Sequence, residues 1–219
     1  MHENETKLKE IFEVLNKEGF LSNLIIIGSW CLLFYKNIFD NFNPTIRTTD
    51  IDFYVPNTKT IKERYNIIRS LKNINYDHIN DILTNKTIFI SPDGFELEFL
   101  TKLNRSGLSC VRIGKTSIYA ESMPYLDLFN FHYMEIDFFG MNIKVASPTS
   151  YVLQKLLVNK SRKGDKQEKD IESVKWVLVF IKASKKYYEE LNTLFKGFPL
   201  KWQKQIIKTC NIYQIKLFE

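Results

Sequence analysis

The chain predicts an α+β fold in which a sheet comes first and helices follow. Three observations carry this. A β-branched run, Leu24-Ile25-Ile26-Ile27, stops at Gly28-Ser29; short alternating segments recur from Asp50 to Val145; and after Ser147-Pro148 no strand signal of comparable strength appears. With 219 residues and 44% hydrophobic content there is material for one large domain or two small ones, and 17 Phe and 11 Tyr against 8 Gly and 6 Pro exclude a disordered or fibrous chain.

Taken in order, Leu8, Ile11, Phe12 and Leu15 recur at helical spacing and Gly19 is a natural stop, so the chain begins with an amphipathic helix. A strand through Ile27, a tight turn at Gly28-Ser29 and a short buried helix from Trp30 to Tyr35 come next. Asp50-Ile51-Asp52-Phe53-Tyr54-Val55 alternates and is closed by Pro56, and Thr58 is placed to cap a helix running to about Leu71. Short strands are expected near Tyr76–Ile79, Thr87–Ser91, Glu96–Thr101, Ser109–Ile113 and Ser117–Ala120, with a turn at Pro92-Asp93-Gly94. Phe131–Phe138 and Met141–Val145 read as a closing hairpin around Gly140. Ser147 then caps a helix with Pro148 at its first position, which sets the expected boundary between residues 1–146 and 147–219. Three or four helices are expected beyond it, with breaks at Gly164 and at Gly197-Phe198-Pro199.

The formal charge is +6, and its placement says more than its size. Between Lys155 and Lys186 stand ten basic residues against four acidic ones, so this window carries the whole surplus. Three scattered cysteines, Cys31, Cys110 and Cys210, show neither metal nor disulfide spacing and are expected reduced and buried. The N-terminal residues lack a signal-peptide core, and the longest nearly apolar run, Leu24–Tyr35, is too short to span a bilayer, so a cytoplasmic protein with no membrane partner is expected.

The chemistry-bearing residues lie on the predicted strands. Asp50 and Asp52 are two apart, so both carboxylates point to one face and call for a counter-charge, which a pair of Mg²⁺ ions could supply. A solvated strand end is the plain alternative. Gly28-Ser29, at a strand end before a helix, presents backbone N–H groups and a hydroxyl to phosphate oxygens, although an ordinary strand-to-helix turn looks the same. Glu96 and Glu98 share a face, and Glu98, deeper in its strand, is the better candidate for a third carboxylate; the alternative is that both are simply exposed. Arg47 could touch phosphate or pair with a site carboxylate. His2, His78 and His132 show no ligand or base spacing, and Trp30, Trp176 and Trp202 are core residues unless one stacks on a base.

In sequence, Ile27-Gly28-Ser29, then Arg47-Thr48-Thr49-Asp50-Ile51-Asp52-Phe53, then Gly94-Phe95-Glu96-Leu97-Glu98-Phe99-Leu100 resemble the nucleotidyltransferase fold shared with DNA polymerase beta. Within it the chain is most similar to a bacterial and archaeal uncharacterised nucleotidyltransferase group, and more distantly to abortive-infection toxin nucleotidyltransferases. Met123-Pro124-Tyr125-Leu126-Asp127, Ala146-Ser147-Pro148, Gln154-Lys155-Leu156-Leu157 and Lys169-Asp170-Ile171 extend the resemblance. It implies a mixed, mainly antiparallel sheet followed by a helical bundle. It further implies Mg²⁺-dependent transfer of a nucleoside monophosphate from an NTP, ATP among the donors, to an acceptor hydroxyl on RNA, protein or a small molecule, with release of pyrophosphate.

On this resemblance Asp50, Asp52 and Glu98 hold two metals, Glu98 is the general base, Gly28 and Ser29 bind the triphosphate, and Lys155 reaches its phosphates. The chain departs from the family pattern in two places: Glu stands at 98 where Asp is commoner, and 20 residues separate Ser29 from Asp50. On an unbroken helix Lys155, Arg162, Lys166 and Lys169 would share a face, either as an acceptor-binding stripe or as a solvated surface. A competing reading keeps the fold without catalysis, as a silent module that binds RNA or a partner protein through the basic helices. A toxin acting on tRNA or protein is the enzymatic reading with a biological use.

Overall fold

The computed structural model describes residues 3–44, 48–61, 65–103 and 107–218. The chain divides into two compact units, one of Met1–Phe34 with Pro44–Val145, the other of Tyr35–Asn43 with Ala146–Glu219.

The first unit is a mixed sheet with a helix on its apolar face. Its strands are β1 (Ile25–Ile27), β2 (Asp50–Tyr54), β3 (Asp77–Asn80), β4 (Thr87–Ile90), β5 (Glu96–Lys102), β6 (Cys110–Arg112), β7 (Tyr119–Met123), β8 (Tyr133–Phe138) and β9 (Met141–Ala146). They are ordered β3-β4-β5-β2-β1-β9-β8, with β7 on the end of β5 and β6 beside β7. Antiparallel pairing joins β1 to β2, β3 to β4, β4 to β5 and β6 to β7. Parallel pairing joins β1 to β9, β2 to β5 and β5 to β7. Asp50, Asp52 and Glu98 therefore lie on the parallel pair of β2 and β5.

Helix α1 (Glu3–Lys17) covers the apolar face, its Leu8, Ile11, Phe12 and Leu15 stripe completely buried. Phe12 meets Phe53 of β2 and Phe138 of β8 edge-on, with ring centroids 6.1 and 5.5 Å apart. Ile51, Phe53, Leu97 and Phe99 all point into this layer and are fully buried, so their strand neighbours Asp50, Asp52, Glu96 and Glu98 necessarily face the other way. The hairpin from β8 to β9 turns through Phe139 and Gly140, both at positive φ, a turn that suits the twist of the flanking strands.

Two local expectations shift. Thr58 starts no helix: Asn57 Oδ1 accepts the N–H groups of Lys59 and Thr60 in an Asx turn, and helix α3 covers Ile67–Lys72. Strand β7 begins two residues later than its β-branched signal, because Ser117 and Ile118 close the turn out of β6, with Ile113 N–H donating to Ile118 O. Cys31 and Cys210 are buried and in no disulfide, whereas Cys110, on short β6, is only half-buried.

In the second unit Ser147 Oγ accepts the Ser150 N–H and Pro148 opens α4 (Pro148–Val158), every residue of which is buried. Helices α5 (Asp165–Ala183), α6 (Lys185–Gly197) and α7 (Leu200–Ile212) pack around it. Gly164 and Gly197-Phe198-Pro199 separate helices as expected; a third break falls at Ser184, whose extended backbone carries no Gly or Pro to announce it. Tyr35–Asn43 joins this unit through aromatic packing. Phe42 stacks on Trp176 at 4.5 Å, Phe39 meets Phe180 and Tyr187, and Tyr35 Oη donates to Ala146 O. No helix among the described residues is long and apolar enough to cross a membrane.

Candidate active site

The register of β2 against β5 builds an acidic face. Asp50 lies opposite Glu96 and Asp52 opposite Glu98, so two cross-strand pairs of like charge stand side by side on the surface that α1 leaves uncovered. Like charges facing each other across strands are destabilising, so this face is favoured by cations or donors from elsewhere. Thr48 supplies one donor: its hydroxyl donates to Asp50 Oδ1.

Asp52 also faces β1, where it lies opposite Ile27, and the chain turns immediately beyond at Gly28. Gly28 has φ +71°, and a Cβ at this position would collide with Asp52 Oδ2. A glycine is required here twice over, for the backbone angle and for the space the carboxylate occupies. From Gly28 to Trp30 the chain makes a 3-10 turn into α2 (Cys31–Tyr35), and Trp30 packs edge-on against Phe95 at 5.5 Å, which braces the turn against the start of β5. Gly28-Ser29 and Asp52 are thus parts of one place.

Glu98 is held differently. Lys86 Nζ lies 3.0 Å from Glu98 Oε2 and 3.1 Å from Glu121 Oε2, a cation between carboxylates of two neighbouring strands. Burial pushes the Glu98 pKa up, and the charges of Asp50 and Glu121 add to this, against the opposing pull of Lys86. For Lys86 burial works to lower the pKa, but its bonds to Glu98 and Glu121 outweigh this and leave it raised. Neither Lys86 nor Glu121 stood out in the sequence. The alternation in β7 could have put Glu121 on a face; only the strand order puts that face beside Glu98.

The donor set suits a hard divalent cation: Asp50 and Asp52 offer carboxylate oxygens on one face, with Asp52 fixed against the Gly28 backbone. The carboxylates do not converge as they stand. Among the described residues no three of His, Cys, Asp and Glu form a group that could hold a metal ion, and Glu98 is bonded to Lys86 instead.

Lys155 lies in the helical unit, buried, with Nζ 2.5 Å from Asp170 Oδ1, and Arg162 Nε stands 3.4 Å from the other oxygen of Asp170. Burial alone would lower the Lys155 pKa; Tyr151 and Asp170 beside it outweigh that, and it stays charged. The basic stripe imagined on one helix face does not form, because Lys155 is in α4, Arg162 is in extended backbone and Lys166 and Lys169 are in α5 beyond the turn at Gly164. Arg47 and His2 lie outside the described residues. His78 is exposed beside Phe89, and Trp30 is buried as core, while Trp176 and Trp202 are half-buried.

The fold is shared with solved structures. The antibiotic-resistance factor ANT(2″)-Ia in solution matches with a TM-score of 0.50 at 11% identity, over 96% of this chain and 97% of that one. The same protein in complex with adenylyl-2″-tobramycin matches with a TM-score of 0.50 at 12% identity, over 97% and 99%. An antigenic nucleotidyltransferase-like protein from Paracoccidioides brasiliensis matches with a TM-score of 0.49 at 16% identity, over 90% and 92%. At these identities the likeness is one of fold. The family profile described as Nucleotidyltransferase matches residues 6–193, and the chain belongs to that family. It is a nucleotidyltransferase. No curated protein matches it.

Proposed function

We propose that this enzyme transfers a nucleoside monophosphate from an NTP to an acceptor hydroxyl. The acceptor oxygen forms a bond to the α-phosphorus, the bond to the β-phosphate bridging oxygen breaks, and pyrophosphate leaves. One observation carries the reading: Asp52 is seated against the Gly28 turn, so an acidic pair and a strand-to-helix turn whose N–H groups could receive phosphate share one place on the sheet.

Gly28 and Ser29 would receive the terminal phosphates on backbone N–H groups and a hydroxyl. Asp50 and Asp52 would hold Mg²⁺, with Glu98 as the third carboxylate. Bound there, Mg²⁺ would lower the pKa of the attacking oxygen and neutralise the departing pyrophosphate. Glu98, whose affinity for a proton is raised by burial, is the residue on this face best suited, in its ionised form, to take the acceptor proton. Lys155 has a first role inside the helical unit, and a further role at phosphate requires its bond to Asp170 to open.

That a fold neighbour is found with adenylyl-2″-tobramycin, an adenylylated small molecule, supports including small molecules with RNA and protein as acceptor classes. The test is incubation with labelled NTPs, Mg²⁺ and separated cell RNA, protein and small-molecule fractions. The expected result is one labelled fraction with the wild type and none with Asp52→Ala; no transfer by the wild type, or equal transfer by the variant, overturns the proposal.

A second reading, a silent module that binds RNA or a partner protein, is favoured by the bonding of Glu98 to Lys86. Calorimetry separates the two: catalysis requires NTP binding that responds to Mg²⁺, whereas the module would show salt-sensitive RNA binding and NTP binding indifferent to Mg²⁺.

A further inference from the structure

We propose that Lys86 is the internal counter-cation of the carboxylate face and sets the divalent-metal affinity of the nucleotide-free site. The inference rests on the proposed nucleotidyl transfer at Asp50, Asp52 and Glu98. Three side chains are drawn together here: Lys86, Glu98 and Glu121 keep 17%, 14% and 34% of their side-chain surfaces exposed, and the ammonium lies within 3.1 Å of both carboxylates. Each comes from a different strand or its edge, so the arrangement is made by the sheet and not by a flexible surface pair.

The lysine is also anchored. Just before it, Asp81 Oδ1 accepts the N–H groups of Leu83 and Thr84 and the Thr84 hydroxyl, and Asp81 N–H donates to Lys86 O. Asn85 completes the turn at φ +64°. On the other side Thr87 Oγ1 donates to Asn80 Oδ1, tying the start of β4 to β3. This pinned hairpin delivers Lys86 to the start of β4, where its side chain reaches across to Glu98 on β5.

A divalent ion on Glu98 would stand close to this ammonium, and the repulsion weakens metal binding in the absence of another anion. A triphosphate supplies that anion. Metal and nucleotide therefore enter as linked ligands, each raising the affinity for the other by the same factor. The arrangement offsets part of the negative charge of the acidic face when it is empty of nucleotide and makes metal loading conditional on substrate.

The experiment is titration of the nucleotide-free full chain with Mn²⁺, followed by electron paramagnetic resonance. Lys86→Met and Lys86→Gln, checked for folding by circular dichroism, are each expected to bind Mn²⁺ roughly tenfold more tightly than the wild type, while Lys86→Arg stays at the wild-type value. A positioning role without charge would be rescued by glutamine and would not move Mn²⁺ affinity. Binding by folded Met or Gln variants no tighter than by the wild type, including no binding by either, overturns the inference. Wild-type transfer lost in Asp52→Ala, alongside unchanged Mn²⁺ affinity in the Lys86 variants, removes this inference and leaves the transfer reading standing. Tightened Mn²⁺ binding without any transfer does the reverse.

Discussion

The carboxylate of Asp52 occupies the space beside Gly28 that a Cβ would fill. The smallest possible addition, Gly28→Ala, therefore has two separable costs. A left-handed backbone angle in an alanine costs about 1–2 kcal/mol, read as a Tm lower by about 2–8 °C. Displacement of Asp52 acts on catalysis, where misplacement by about 1 Å costs roughly a hundredfold in rate. Gly94, also at positive φ but with nothing near its Cβ position, is the control: Gly94→Ala should lose stability and keep activity. Equal activity in the two variants would refute the role given to the Gly28 and Asp52 contact.

Lys155 and Asp170 form a buried ion pair in the helical unit. Removing one partner strands the other charge, so Lys155→Met should cost about 3–5 kcal/mol in denaturant unfolding. The double variant Lys155→Met with Asp170→Leu should recover most of that loss, because Arg162 is partly exposed and can turn to water. If the double variant is as stable as the wild type but transfers no nucleotide, the phosphate role of Lys155 is supported. Full activity in the double variant ends that role.

Lys7 lies 2.5 Å from Asp93 and, with the Ser91 hydroxyl, holds the Asp93 carboxyl down to about 2. A carboxyl whose pKa is lower folded than unfolded stabilises the fold above its unfolded value of about 4 and loses that contribution as the pH falls toward 2. Asp93→Asn should thus be less stable than the wild type at pH 6, with the difference closing between about pH 4 and pH 2. The pair is exposed, so the effect is small and should shrink in high salt. Parallel stability curves for the two proteins across that window would count against the assignment.

Burial raises the Cys210 thiol to about 11, and Cys31 is buried with Sγ donating to Ile26 O. Only about one Cys210 in a thousand is thiolate at pH 8. Iodoacetamide labelling read by mass spectrometry should modify half-buried Cys110 first, slowly because its own pKa is raised by burial and by Glu121, and the other two only on unfolding. Native-state labelling of Cys210 as fast as Cys110 would contradict this.

Much was legible before any coordinates, and for physical reasons. The period-2 run from Asp50 to Tyr54 fixes which side chains share a face, whatever the strand pairs with, and the β-branched run into Gly28-Ser29 announces a strand and its turn. Ser147-Pro148 announces a helix start because capping is a contact among residues three apart. Local chemistry of this kind travels with the sequence. What it omits is the non-local. That Asp52 lies opposite Glu98 and against Gly28 depends on β2 running between β1 and β5, and that Lys86 bonds Glu98 and Glu121 depends on β4, β5 and β7 being neighbours. The basic stripe failed for the same reason: residue spacing places side chains only within one helix, and Gly164 ends one register and begins another. The identity of the acidic face was therefore written in the chain, while its counter-cation was decided by the order of strands in the sheet.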